Sequence, residues 1–262
     1  MLPIVVLDAC VIIPMPLCDT LLRAAEAELY CPQFSQEILD EATRNLVKMG
    51  KMTEAKATRY QGYIKAAFPE AIVEVPEQLI EIMTNHPKDR HILAAAVKAK
   101  AGIIVTSNLK DFPREALELF GIEAKHPDDF LLDLCNKHTV GVLAQVIKEQ
   151  AEALKKPQTN VKEVLARLSC QVPMFVGKVL CHQYGRTVAE IAGKILKQAK
   201  CVVDGALVFE GERYFLHKQN ATITITDKNG RGEILSLKKG VIEGSLSFED
   251  IEIFEKISQK LE

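Results

Sequence analysis

The chain has 262 residues, 48% of them hydrophobic, and a formal net charge of −2. That is enough apolar material for one sizeable core and a smaller second one, and the charge is far from that of a protein held to nucleic acid by bulk positive potential. No apolar run approaches the length of a membrane span, and no basic segment precedes the apolar start, so neither a spanning helix nor a secretory signal is expected. The seven cysteines (Cys10, Cys18, Cys31, Cys135, Cys170, Cys181, Cys201) include no CxxC pair and mostly sit among apolar neighbours. This points to reduced, buried thiols in a cytoplasmic protein rather than to disulfides or zinc.

In chain order, Ile4 to Leu7 is a short apolar, β-branched run that reads as a strand buried on both faces, and it ends in Asp8. Pro14 and Pro16 delay the next helix, expected over 19–28. A second strand is expected at 29–31, closed by Pro32. Ser35 then caps a helix on which Ile38, Glu41, Ala42 and Asn45 recur along one face. Another helix runs from Thr53 to about Phe68, and a third strand covers 71–75. A helix near 77–84 follows.

The most informative stretch is Asn85 to Pro113. A His86-Pro87 turn leads into a helix with Asp89 in its first turn; the helix ends near Lys100, and Gly102 follows as a stop. Ile103 to Thr106 is a buried strand, followed by the polar turn Ser107-Asn108-Leu109-Lys110-Asp111. Pro113 suits the start of the next helix. A last short strand at 122–124 and a helix from His126 to about Lys137 complete an alternating βα pattern, which argues for a parallel α/β sheet covered on both faces.

From Thr139 the texture changes. Helices are expected at 141–155, 161–168, 174–183 and 188–199, with a break over 156–160, a turn at Gly185 and a capping box at Thr187/Glu190. Four antiparallel strands follow at 202–209, 214–217, 221–226 and 232–237. A final amphipathic helix opens at Ser247 and carries Phe248, Ile251, Phe254, Ile257 and Leu261. The expected organisation is therefore a domain over 1–138, a helical extension over 139–185 and a small α+β accessory domain over 186–262.

The candidate site lies in the first domain. Asp8 ends one buried strand, and Asn108 and Asp111 follow another, at the sheet edge where open α/β sheets bind ligands. Glu41 and Asp89 lie on the packed faces of their helices, whereas Glu37 and Asp40 turn elsewhere. An ion pair with Arg44 or Lys48 is the simpler account of Glu41, and stabilisation by the helix N-terminus the simpler account of Asp89. Several carboxylates gathered without Lys or Arg between them repel unless a divalent cation neutralises them, and such a hard oxygen donor set suits Mg2+ or Mn2+. The chemistry that follows is phosphodiester hydrolysis by an activated water.

These residues resemble a PIN domain, the metal-dependent nuclease fold of the VapC ribonuclease toxins. The resemblance rests on Val6-Leu7-Asp8-Ala9-Cys10-Val11, on Ser35 to Glu41 with Arg44-Asn45-Leu46, on Lys88-Asp89-Arg90-His91, and on Val105 to Pro113. It covers residues 1 to about 137, and residues 139–184 resemble the helical extension of longer members. It implies a parallel sheet with Asp8, Glu41, Asp89 and Asp111 as catalytic, metal-binding acids, joined at the metal by Asn108. It also implies an RNA substrate, an antitoxin partner and a homodimer. Two positions depart from the family pattern: the turn before the third acid reads His86-Pro87-Lys88 instead of being acidic, and position 108 is Asn. A haloacid-dehalogenase reading fails because Cys10 stands where a second Asp is needed, and no GxGxxG follows the first strand for dinucleotide binding. A PIN fold kept only as a binding scaffold, or a solitary housekeeping nuclease, are the alternatives.

Overall fold

The computed structural model describes residues 2–155, 158–198, 201–203 and 206–261, with backbone alone at 201–203, 206, 207 and 261. The expected positions of Lys156, Pro157, Ala199 and the Cys201 thiol therefore lie outside the described residues. The chain divides into two compact units. One comprises residues up to His138 with Gln145–Gln171, and the other comprises Thr139–Ala144 with the chain from Val172 onward. Residues 139–144 and 172 onward thus group in the second unit, and 145–171 in the first.

The first unit begins with β1 (Ile4–Leu7), α1 (Ala9–Ile12), α2 (Met15–Glu26), β2 (Cys31–Ser35), α3 (Gln36–Lys48), α4 (Glu54–Ala67), β3 (Ile72–Val73) and α5 (Glu77–Glu81). It continues with α6 (Arg90–Ala99), β4 (Ile103–Val105), α7 (Arg114–Glu118), β5 (Glu123–Lys125) and α8 (Pro127–His138). The helix α9 (Val140–Ala153) spans the division, and α10 (Val161–Leu168) lies in the first unit. Five parallel strands form one sheet in the order β3-β2-β1-β4-β5. Val5, Val6, Leu7, Ile104 and Val105 are fully buried, as central strands covered on both faces by helices require. The chain leaves β1 toward β2 and β3 on one side and returns to β4 on the other. The gap between the carboxyl ends of β1 and β4 is therefore the point where the strand order reverses, the place where open α/β sheets hold ligands.

Local differences from the sequence reading have simple causes. No delay separates Asp8 from a helix: α1 starts at once, Asp8 caps it by accepting from the Cys10 N–H, and the Pro14 and Pro16 region opens α2 instead. The strand β2 runs through Pro32 to Ser35. β3 pairs only with Phe34 and Ser35, so Pro32 has no neighbour on that side to disappoint. The helix α6 ends as expected near Lys100, which itself takes the left-handed region at φ 54° and closes the helix two residues before Gly102.

The second unit contains α11 (Pro173–Gln198), β6 (Cys201–Val203), β7 (Ala206–Glu210), β8 (Tyr214–Gln219), β9 (Thr222–Asp227), β10 (Gly232–Lys238), β11 (Val241–Gly244) and α12 (Phe248–Leu261). Its sheet has six antiparallel strands in the order β11-β10-β9-β8-β7-β6 rather than four, because the stretch read as one strand over 202–209 folds back as β6 and β7 and because Val241–Gly244, not expected as a strand, pairs with β10 as β11. The turn expected at Gly185 is absent, and so is the capping box at Thr187/Glu190. Both positions lie inside the continuous helix α11. Gly185 serves packing instead: a Cβ there would meet Ile242 Cγ2 at 2.8 Å and Cys181 Sγ at 3.3 Å. Gly185→Val should therefore destabilise this unit by about 1–3 kcal/mol through overpacking, read as a lower urea midpoint with an unchanged slope.

Candidate functional site

The site forms where the carboxyl ends of β1 and β4 face the start of α6 and one face of α3. Asp8 follows β1 directly and is only 3% exposed. Thr106, just past β4, donates its hydroxyl to Asp8 Oδ2 at 2.5 Å, and the Cys10 N–H donates to Asp8 Oδ1 at 3.2 Å. The Cys10 thiol lies 3.1 Å from Asp8 Oδ2 and accepts from the Ser107 N–H at 3.2 Å. Burial raises the Asp8 carboxyl above its ordinary range. The hydrogen bonds from Thr106 and Cys10 oppose this without cancelling it, and the charge of Glu41 adds to it. Burial also pushes the Cys10 thiol up to about 12, helped by Asp8, so Cys10 is a neutral support and not a nucleophile.

Asp89 closes the short 3-10 turn Pro87–Asp89 that leads into α6. It occupies the N-cap position of α6, yet its side chain caps no backbone N–H. Burial raises its carboxyl, and the charges of Asp8, Asp111 and Glu41 raise it further. Asp111 closes a second 3-10 turn, Leu109–Asp111, and its carbonyl accepts from the His86 N–H at 3.1 Å. His86 Nδ1 lies 3.2 Å from Asp89 Oδ2, and His86, Asp89 and Asp111 offer ligand atoms all within 4.8 Å of one another.

Glu41 sits on the α3 face turned toward α6, where its Oε2 lies 3.2 Å from His91 Nε2. The expected partners Arg44 and Lys48 do not pair with it. The separation is that of an ion pair, but the ring N–H is not aligned for a hydrogen bond, so the contact is electrostatic. The neighbouring imidazole holds the Glu41 carboxyl below its usual range despite partial burial. Burial alone would lower His91, but Glu41, Glu37 and Asp8 outweigh it and raise the imidazole.

Asp89 thus lies within electrostatic reach of Asp8, Glu41 and Asp111, and Asp8 within reach of Glu41, while it is Asp89 and Asp111 that share ligand spacing with His86. Among the described residues no Lys or Arg is salt-bridged to any of them. Glu37 is exposed. Asn108 contributes through its backbone: its N–H donates to Thr106 Oγ1 at 3.0 Å and its carbonyl accepts from the Asp111 N–H at 2.9 Å, while its exposed amide takes no part in these bonds.

Four residues of this site escaped the sequence reading in their roles. Thr106 reads as one more β-branched strand residue, and Cys10 as a spacer. His86 stands three residues before Asp89, the reach of one 3-10 turn, but reads only as a departure from an acidic pattern. His91 is hidden on the buried face of α6. A donor set of carboxylates and an imidazole, with two buried carboxyls raised above their ordinary range, fits a divalent cation.

Comparison with known proteins agrees with this geometry. Residues 4–110 match the family model described as PIN domain, and residues 127–181 match that described as VapC50 C-terminal domain. Over 100 residues the chain is 47% identical to a Mycobacterium tuberculosis (strain ATCC 25618 / H37Rv) protein named "Putative ribonuclease VapC50". The aligned part is 38% of this chain and 59% of that relative, so the two correspond over little more than half of the relative's length. Residues 4–110 of this chain are thus similar to the PIN domain family, and residues 127–181 to the VapC50 C-terminal domain.

Proposed function

We propose that the chain is a divalent-cation-dependent endoribonuclease and the toxin of a toxin–antitoxin pair, acting in the cytoplasm. The observation that carries this reading is the convergence of Asp8, Glu41, Asp89 and Asp111 at the strand-order reversal of a PIN domain, with no basic residue salt-bridged to them among those described. The relative's printed name as a ribonuclease supports RNA as the substrate.

Asp8, Asp89 and Asp111 would hold Mg2+ or Mn2+, with Glu41 beside Asp8 and Asp89. Held there, such an ion would supply an acidified water and charge stabilisation at the departing oxygen. The chain's own residues set up that chemistry. Thr106 orients one Asp8 oxygen from β4, and Cys10 secures the other side from α1, so the buried carboxylate is fixed before substrate arrives. His91 keeps Glu41 ionised and turned inward, able to accept a proton from the attacking water. Phosphate repulsion by four acids has to be offset nearby. Lys88 and Lys110 are exposed on the two short turns that carry Asp89 and Asp111 and are suited to that task.

The purified chain should cut RNA with Mg2+ or Mn2+ and stop when EDTA removes the metal. Cleavage that continues in EDTA would sink the mechanism. Metal binding without cleavage of any RNA or DNA would leave a binding scaffold. Thr106→Val keeps the shape but removes the donor to Asp8. It should weaken metal binding about 10–100-fold, the usual loss for a residue that supports a metal ligand, measured by calorimetric titration.

As a toxin, the chain should be harmful when expressed alone and harmless beside an antitoxin encoded by the adjacent reading frame. Harmless expression with no such neighbour would favour a solitary housekeeping nuclease. A homodimer is expected by sedimentation. No helix among the described residues is long and apolar enough to cross a membrane. Nothing in the second unit gathers a second set of acids and histidines among the described residues, and its proposed role is accessory, in substrate positioning or protein contact.

A further inference from the structure

We propose that His86 is itself a metal ligand, and that the His86–Asp89–Asp111 group makes this centre select Mn2+ over Mg2+. The inference deepens the metal reading above and rests on it.

The geometry comes first. His86 is held by its backbone, because its N–H is bonded to the carbonyl of Asp111 at 3.1 Å. Its carbonyl in turn accepts the Asp89 N–H at 2.9 Å. The residue is therefore fixed between the two acids by main-chain bonds that do not depend on its side chain. Its ring reaches Asp89 Oδ2 at 3.2 Å, and one atom from each of the three side chains falls within 4.8 Å of the others. A single ion accommodates three donors at that spacing.

A further observation concerns Asp89. It is buried at the start of α6 but uses its carboxylate on no backbone N–H of that helix, and among the described residues its hydrogen-bonding neighbour is His86. Asp111 stands in the same group, and among the described residues no Lys or Arg is salt-bridged to either acid.

The choice of metal follows from the donors. Mg2+ prefers oxygen and gives up its water reluctantly, whereas imidazole binds first-row transition ions well. Replacing an acid by His at this turn removes one negative charge and adds one nitrogen. The loss of charge weakens the attraction for both ions alike, and the nitrogen restores part of it for Mn2+ but little for Mg2+.

The test uses the full chain and the metals alone. Mn2+ bound to the wild type should show imidazole-nitrogen modulation by pulsed electron paramagnetic resonance, and His86→Ala should remove it. The same substitution should weaken Mn2+ by about tenfold or more, since residues that only support a ligand already cost that much, and change Mg2+ affinity far less. His86→Asp should shift the preference toward Mg2+. His86 is exposed, so these variants should keep the wild-type circular dichroism.

Absence of nitrogen modulation in the wild type, its survival in His86→Ala, or an equal loss of both metals overturns the assignment. If Mn2+ binds and RNA is cut without a nitrogen signal, only this inference fails. If the signal is present but no nucleic acid is cut, the inference stands and the ribonuclease reading falls.

Discussion

Asp8→Asn should abolish RNA cleavage and at the same time raise the melting temperature of the metal-free protein at pH 7. The two effects have one origin. Asp8 is 3% exposed, and its carboxyl is raised by burial against the opposing pull of Thr106 and Cys10. Folding without metal therefore places a negative charge where ionisation is disfavoured, close to Glu41 and Asp89. Asn keeps the size, still accepts from the Cys10 N–H, and turns its amide toward Thr106, whose hydroxyl can accept. Cleavage should fall by more than about a hundredfold, because residues that merely support ligands cost 10–100-fold in metal affinity or activity.

The stability gain has a fixed sign with pH. A carboxyl with a raised folded pKa favours the native state most below its unfolded value, near 3.9, and that contribution is lost as pH rises through the folded value. The advantage of Asp8→Asn should therefore be largest at neutral pH and vanish on acidification. Saturating Mn2+ should reverse the order, stabilising the wild type and leaving the variant where it was. A variant that melts below the wild type at pH 7 without metal would show that Asp8 is a structural cap first and a strained ligand second.

The sequence carried the central frame because the relevant signals are local. Val5-Val6-Leu7 and Ile104-Val105 are continuous apolar runs, and each is followed at once by polar residues that a covered strand would not tolerate within it. The four acids stand out as candidates because Asp8 follows a strand directly, Asp111 lies in the turn after another, and Glu41 and Asp89 share helix faces with apolar residues. Features set by distant partners were not legible. Pro32 reads as a strand terminator, and only the short reach of β3 shows why β2 passes through it. Gly185 reads as a turn, yet it lies in mid-helix because Ile242, 57 positions later, approaches too closely for a side chain. The role of Thr106 depends on β1 and β4 being neighbours, a pairing that spans nearly a hundred residues. His86 illustrates a different limit: its position was read, but its chemistry was set aside because the expected pattern was acidic.

Asp250→Ala should cause the largest loss of stability in the second unit. Ser247 and Asp250 form a reciprocal cap at the start of α12. The Asp250 N–H donates to Ser247 Oγ at 3.2 Å, and the Ser247 N–H donates to Asp250 Oδ2 at 2.7 Å. The same carboxylate is wholly buried and also accepts from both terminal nitrogens of Arg231, at 2.9 and 2.6 Å, and from the Tyr214 hydroxyl at 2.6 Å. Asp227 shares Arg231, accepting from its Nε at 2.8 Å. Desolvation opposes the charge on Asp250, but the bonds from Arg231, Tyr214 and Ser247 outweigh it and hold the carboxyl below its ordinary range.

Removing it leaves Tyr214, part of Arg231 and the first turn of α12 without their acceptor. Breaking a buried pair from one side costs about 3–5 kcal/mol. For a unit of this size the melting transition should fall by more than about 10 °C. The pH dependence has the opposite sign to that of Asp8. A depressed carboxyl contributes stability above its unfolded value and loses it as pH falls through the folded one. The wild-type unit should therefore weaken on acidification, and Asp250→Asn should be less stable at neutral pH and flatter in acid. Differential scanning calorimetry between pH 3 and 7, in the presence of EDTA, reads both slopes. An Asp250→Asn unit that melts with the wild type at pH 7 would mean that the Arg231 pair is energetically neutral and that packing of Phe254 and Ile251 alone secures α12.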